Sequence, residues 1–177
     1  MSSGIDIAYV ALGSNLGDRE GIFSEVLRAI DQESALELRG ASPIFETDPI
    51  GPGRQDPYLN AVVRLKSALT PVELLDWLQG VESSLGRDRS SSAERWGPRV
   101  VDLDLLFFGD RCIDTPRLTV PHPRAHERAF VLIPMAALAP EHMHPVLGTS
   151  MRTLADELGD PDSVRAWPDV PGWPTIE

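Results

Sequence analysis

Two amphipathic helices, each set between apolar strands, limit the folds open to this chain. Ile22, Phe23, Val26, Leu27 and Ile30 recur at helical spacing and predict a helix over about 19–32, with Asp18 as its cap. Thr70, Pro71 and Glu73 spell a capping box with proline at the first helical position. Leu74, Leu75, Leu78, Val81 and Leu85 then form an apolar stripe that stops at Gly86. A helix with a single apolar stripe covers one sheet face, so the strands between these helices must supply that sheet.

Residues 5–12 are apolar on both parities, as in a strand covered on both faces. Residues 36–47 read as one strand, with Pro43 marking an edge or a bulge. Residues 58–66 put Tyr58, Asn60, Val62 and Arg64 on one face and Leu59, Ala61, Val63 and Leu65 on the other. Residues 100–108 form a further strand, and Gly109-Asp110 is expected to turn into a return strand near 111–114. Helices follow at 129–138 and 151–158. The order β-α-β-β-α-β predicts an α+β chain. Its expected architecture is a ferredoxin-like βαββαβ core with an added C-terminal hairpin and helices, in a three-layer αβα sandwich. Residues 1–160 are expected to form a single domain, and 161–177 an irregular tail containing proline and tryptophan.

The charge balance narrows the partners. In 177 residues, 27 acids outnumber 16 bases, for a net charge of −11. That argues against nucleic acid, whose binding rests on phosphate neutralisation. The single Cys112 excludes an internal disulfide framework and CxxC zinc spacing; it and the methionines read as packing residues. Apolar runs fall short of the roughly 18 residues of a membrane span, and no signal-peptide pattern opens the chain. A cytoplasmic protein with no membrane association is expected, and nothing in the sequence demands more than a monomer. Within 87–128, however, eight arginines meet seven acids, so this stretch is net positive in an acidic chain. Such clustering suits a local anion site, because guanidinium binds phosphate bidentately.

Four groups carry the chemistry. Asp102 and Asp104 share one strand face, about 7 Å apart, in an otherwise apolar run. Carboxylates there are costly to bury unpaired, and a hard cation with a nucleotide phosphate would account for both. Val101, Leu103, Leu105 and Phe107 are expected on the opposite face. Arg87, Arg89, Arg95 and Arg99 line a long polar loop containing Trp96; a positive loop beside such a strand suits phosphoryl transfer. Tyr58 beside Asn60 offers an aromatic plane and an amide for a flat heterocycle. Pro121-His122-Pro123, with Arg124, His126 and Arg128, is the fourth group, while His142 and His144 read as peripheral. The phosphate loop GxxxxGK[ST], GxGxxG, GxSxG and HExxH are all absent. These residues alone leave three readings open: metal-dependent transfer from a nucleotide to a planar substrate, another DxD-type nucleotidyl- or glycosyltransferase, and a non-catalytic nucleotide-binding domain.

The order Gly13-Ser14-Asn15-Leu16-Gly17, Pro57-Tyr58-Leu59-Asn60, Glu94-Arg95-Trp96-Gly97-Pro98-Arg99, Asp102-Leu103-Asp104 and Arg117-Leu118-Thr119-Val120-Pro121-His122-Pro123 resembles the 6-hydroxymethyl-7,8-dihydropterin pyrophosphokinases of folate biosynthesis, from about residue 8 to 145. The resemblance implies transfer of pyrophosphate from ATP to the hydroxymethyl group of the dihydropterin, with release of AMP. It implies two Mg²⁺ ions on Asp102 and Asp104, with Arg87 and Arg99 catalytic at the phosphates. It implies a pterin site of Thr47, Ile50, Tyr58, Asn60, Trp96 and Phe130. It further implies an ATP site of Gln79, Glu82, Arg89, Arg95, Leu105, Arg117, Thr119, His122 and Arg128. The chain departs from the better-known bacterial pattern in a longer loop carrying Ser90-Ser91-Ser92, and at Asp48, Pro123 and His126.

Overall fold

The computed structural model describes residues 4–49, 53–86, 100–159 and 161–174. Strand β1 (Asp6–Ser14) leads to helix α1 (Arg19–Gln32) and then to strands β2 (Leu36–Ala41), β3 (Phe45–Thr47) and β4 (Tyr58–Ser67). Helix α2 (Pro71–Ser84), strand β5 (Asp102–Phe108) and the short strands β6 (Ile113–Asp114) and β7 (Thr119–Val120) follow. Helices α3 (Ala129–Leu138) and α4 (Met151–Leu158) precede the last strand, β8 (Val164–Ala166). The main sheet is antiparallel in the order β5-β1-β4-β3-β8, with β2 also paired to β4; β6 and β7 form a second, two-stranded sheet. Among the described residues, no helix is long and apolar enough to cross a membrane.

The helix signals act as the sequence predicts. Asp18 Oδ1 accepts from Gly21 N at 3.1 Å, capping α1. Thr70 Oγ1 accepts from Glu73 N at 3.3 Å, and Glu73 Oε2 accepts from Thr70 N at 2.8 Å, so both halves of the capping box on α2 are made.

Strands β1 and β4 pair residue for residue from Asp6–Ser67 to Ser14–Leu59 and sort their side chains cleanly. On the first face, Ala8, Val10, Leu12, Leu59, Ala61, Val63 and Leu65 pack with Phe23, Val26 and Ile30 of α1 and Leu74, Leu78 and Val81 of α2. On the second, Tyr9 and Val62 pack with Val131, Leu132, Met135 and Leu138 of α3 and Met151 and Leu154 of α4. Helices therefore cover both faces, which is why residues 5–12 read apolar on both parities.

Five local expectations are corrected. The stretch 36–47 is two strands: Ser42 takes both backbone bonds of Val62, its N–H donating to Val62 O at 2.8 Å and its Oγ accepting from Val62 N at 2.9 Å, so the ladder breaks there. Phe107 does not lie with Leu103 and Leu105. The β1–β5 register shifts between Tyr9–Phe107 and Val10–Leu105, leaving Leu106 as an extra residue, and Leu106 and Phe107 join the second face. The Gly109-Asp110 turn does not return a strand to β5; β6 pairs with β7 instead. The stretch 161–177 is not wholly irregular, because β8 pairs with β3 and Trp173 Nε1 donates to Ser42 O at 2.8 Å. Cys112 and Met143 are exposed, while Met135 and Met151 are buried.

Candidate active site

The sheet register draws the separate sequence signals onto one face. Asp102 lies opposite Gly13, Gly13 opposite Asn60, and Asn60 opposite Phe45. Directly opposite residues point the same way, so Asp102 and Asn60 share the second face, two strand spacings or about 10 Å apart. Asp104 lies opposite Ala11, one step inward, and Tyr58 lies opposite Thr47, one step outward. Between the carboxylates and the amide stands a residue with no side chain. A Cβ on Gly13 would sit 3.1 Å from Asn60 Oδ1 and 3.7 Å from Tyr58 Cδ1. Glycine thus leaves open space between a carboxylate end and an amide end.

The amide end is held rigidly. Asn60 is 7% exposed, and its Nδ2 donates to Thr47 Oγ1 at 2.5 Å. That bond commits one amide N–H and orients Oδ1 over Gly13 as an acceptor a planar ligand would meet. Thr47 is therefore a support for Asn60. Phe130 stands on the first turn of α3, packed against the second-face cluster, with the Arg128 guanidinium 5.6 Å above its ring.

Gly13-Ser14-Asn15 reads in the sequence as turn chemistry, yet Gly13 and Ser14 belong to β1. Ser14 Oγ donates to Val100 O at 2.5 Å, fixing the entry to β5. Asn15, 3% exposed, donates to Asp56 O at 3.2 Å and to Gln55 Oε1 at 3.4 Å, fixing the approach to Tyr58. Ser14 and Asn15 are positioning residues that the sequence reading missed. A polar pair at the end of an apolar strand was the available signal.

At the other end, His122 N donates to Leu106 O at 2.9 Å, which brings the imidazole to the outer side of β5 near Asp104. Burial pulls the His122 pKa below its usual value; Asp104 opposes that shift, and the Arg128 and Arg124 charges add to it. Its Nδ1 accepts from Arg124 N at 3.2 Å. Glu82, 3% exposed, accepts from Leu103 N at 3.2 Å and so caps the outer edge of β5. Leu105, two residues on, turns its backbone to the same edge. Gln79 lies on α2, half-buried; Thr119 is exposed on β7, and Arg117 pairs with Asp76 of α2. Ile50, Arg87, Arg89, Arg95, Trp96 and Arg99 lie outside the described residues.

Among the described residues, no cluster of three histidine, cysteine or carboxylate groups could hold a metal by itself. The Asp102–Asp104 pair fits Mg²⁺ for a different reason. That ion keeps several waters and is commonly bound by one or two carboxylates plus substrate phosphates. Two hard oxygen donors on one strand face, Asp104 exposed and Asp102 half-buried, meet that need.

The curated relatives that the chain matches are named as pyrophosphokinases, which places it among transferases of the pyrophosphokinase class. Residues 9–140 match the family described as 7,8-dihydro-6-hydroxymethylpterin-pyrophosphokinase. The Bacillus subtilis 2-amino-4-hydroxy-6-hydroxymethyldihydropteridine pyrophosphokinase is 42% identical over 167 residues, 94% of this chain and 93% of that protein. The Pseudomonas aeruginosa protein of the same name is 44% identical over 137 residues, 77% of this chain and 83% of its own. The chain belongs to the 7,8-dihydro-6-hydroxymethylpterin-pyrophosphokinase family. In fold it is similar to the crystal structure of Plasmodium falciparum HPPK-DHPS with pteroate. The TM-score is 0.69 at 16% identity, covering 88% of this chain and 42% of that longer one.

Proposed function

We propose that this chain transfers the pyrophosphoryl group of ATP to 6-hydroxymethyl-7,8-dihydropterin, on a ferredoxin-like core within residues 1–160. The pterin hydroxymethyl oxygen attacks the β-phosphorus and loses its proton. The bond from that phosphorus to the α-phosphate bridging oxygen breaks. The products are the pterin diphosphate and AMP, in folate biosynthesis.

Asp102 and Asp104 would hold two Mg²⁺ ions. When bound, these neutralise phosphate charge and help align the triphosphate for in-line attack. Tyr58 and Phe130 flank the pterin ring, and Asn60 Oδ1 accepts from its polar edge. Thr47 and Ile50 contribute to the same recognition, and Trp96 closes over the ring. Gly13 lets the ring lie flat between Asn60 and the carboxylates. Arg87 and Arg99 contact the phosphates, with Arg89 and Arg95 assisting. Gln79, Glu82, Leu105, Arg117, Thr119, His122 and Arg128 line the nucleotide end. His122, kept neutral by burial, offers a hydrogen bond there without a second proton.

The observation that carries this reading is the common face of Asp102, Asp104, Tyr58 and Asn60 across Gly13. Incubation with ATP, Mg²⁺ and the dihydropterin, followed by chromatography of the nucleotides, tests it. Pterin-dependent AMP, lost on adding EDTA, is expected. ADP, or AMP formed equally without pterin, would overturn it.

A further inference from the structure

A second concavity lies on the same sheet face, at the opposite end of β4. Arg64 is four residues from Asn60, about 13 Å along the strand. The cleft has a volume of about 710 Å³, within the roughly 300–1,000 Å³ of small-molecule sites. Its lining includes Arg39, Arg64 and Lys66, with the apolar Ile7 and Tyr9 beside Lys66 and Arg64 on the adjacent strand, and Met143.

Two departures from regular pairing build the cationic lining. β2 shifts register between Leu38, opposite Leu65, and Gly40, opposite Arg64, so Arg39 is an extra residue whose side chain the bulge re-aims. At Gly40, a Cβ would stand 3.2 Å from Arg64 Nη2 and 3.4 Å from Leu138 Cδ1. The guanidinium therefore lies close over Gly40, where a side chain would press on it. Arg64 and Lys66 point to one face about 7 Å apart. Both are half-buried, and neither forms an ion pair or hydrogen bond among the described residues. Arg39 is 3.2 Å from Glu37, and Asp110 is the one carboxylate in the lining. In the β2–β4 register Glu37 lies opposite Lys66 but is paired with Arg39, and no carboxylate of the described residues is within ion-pair distance of Arg64 or Lys66.

We propose that this cleft binds a small aromatic phosphate. The phosphate dianion is held between Arg64 and Lys66, and the ring lies against Ile7, Tyr9 and Met143. A dianion satisfies both cations at once, which a single carboxylate does not. The site is separate from the pyrophosphoryl-transfer site and independent of that reading.

The test is a fluorescence titration of the full chain with 8-anilinonaphthalene-1-sulfonate, with phenyl phosphate and benzoate as competitors. Saturable binding is expected, and phenyl phosphate should compete at least tenfold better than benzoate. Arg64→Gln/Lys66→Gln should weaken binding tenfold or more and keep turnover within twofold of the parent chain. The charge-matched pair Arg28→Gln/Arg152→Gln, and Tyr58→Ala, should each bind within twofold of the parent. Should the first double variant fail to fold, Ile7→Glu, at an exposed rim position opposite Lys66, must give the same loss. No saturable signal, equal loss in both double variants, or loss in Tyr58→Ala alone would each overturn the site. Benzoate competing as well as phenyl phosphate would overturn the assignment to phosphate.

Discussion

Gly13→Ala tests the geometry of the candidate site directly. The added methyl would stand 3.1 Å from Asn60 Oδ1 and 3.7 Å from Tyr58 Cδ1, so Asn60 must give by a few tenths of an ångström. Asn60 has little room to do so: it is 7% exposed and tied through Nδ2 to Thr47. Moving it strains a bond worth about 0.5–1.5 kcal/mol and shifts the acceptor that the pterin would use, at a similar cost. The sum of about 1–3 kcal/mol corresponds to a loss of roughly 5–150-fold in pterin affinity. Stability should change little. Replacing a strand glycine recovers about 0.5–1 kcal/mol of chain entropy, which offsets the strain and keeps the unfolding midpoint within about 4 °C. The assay is steady-state kinetics with each substrate varied at saturating levels of the other. KM for the dihydropterin should rise about fivefold or more, and KM for ATP should stay within about twofold. A pterin KM within twofold of the parent chain, or an equal rise for ATP, would refute the placement of the ring over Gly13.

Asp104 is exposed, so Asp104→Ala should leave the unfolding midpoint within a few degrees while lowering turnover by about 10³-fold or more; near-normal Mg²⁺-dependent turnover would remove it from metal binding. Thr70→Ala removes the side-chain half of the α2 capping box, the bond from Glu73 N, and should cost about 1 kcal/mol, seen as a fall of roughly 2–4 °C in thermal unfolding with turnover unchanged. Trp173→Ala loses the Ser42 hydrogen bond and the ring contact with Phe23 at 5.6 Å, and should cost about 2–3 kcal/mol by denaturant titration. His142 and His144 pack against Phe107, with ring centroids at 4.7 and 5.6 Å, and burial, aided by neighbouring histidines, holds both pKa values below 6.5. The unfolded chain then binds more protons than the folded one, so stability should be full at pH 7 and fall as pH drops from about 6.5 toward 5. Chemical denaturation across that range checks this, and His142→Phe/His144→Phe should flatten the slope.

What the sequence made legible was local. The capping box at Thr70, the stripes of α1 and α2, and the two-sided apolar pattern of β1 each depend on neighbours within one turn or one strand. All appear where the spacing predicts them. The misses are long-range. Nothing near Leu106 announces the bulge that moves Phe107 to the other face, because the shift exists only against Tyr9 and Val10 of a distant strand. Nothing near Val164 announces a strand, because its partner, Thr47, lies more than a hundred residues away. Glu82 looks like a ligand-lining carboxylate by resemblance. In the fold it is 3% exposed and accepts the Leu103 amide, so it also fixes the position of β5, a support that no local pattern announces.

The same distinction explains why the site was readable as residues and unreadable as geometry. Asp102 with Asp104, and Tyr58 with Asn60, each declare a shared face by a spacing of two. Neither pair says that the two faces are one. That follows only from β1 lying between β4 and β5, where Gly13 meets Asn60 on one side and Asp102 on the other. Ser14 and Asn15 extend the same stretch outward, to Val100 on the β5 side and to Asp56 on the β4 side. Three consecutive small residues at the end of one strand thus provide the floor and both braces. A change there should act on substrate affinity before it acts on stability, since each braced segment also has its own strand pairing to hold it.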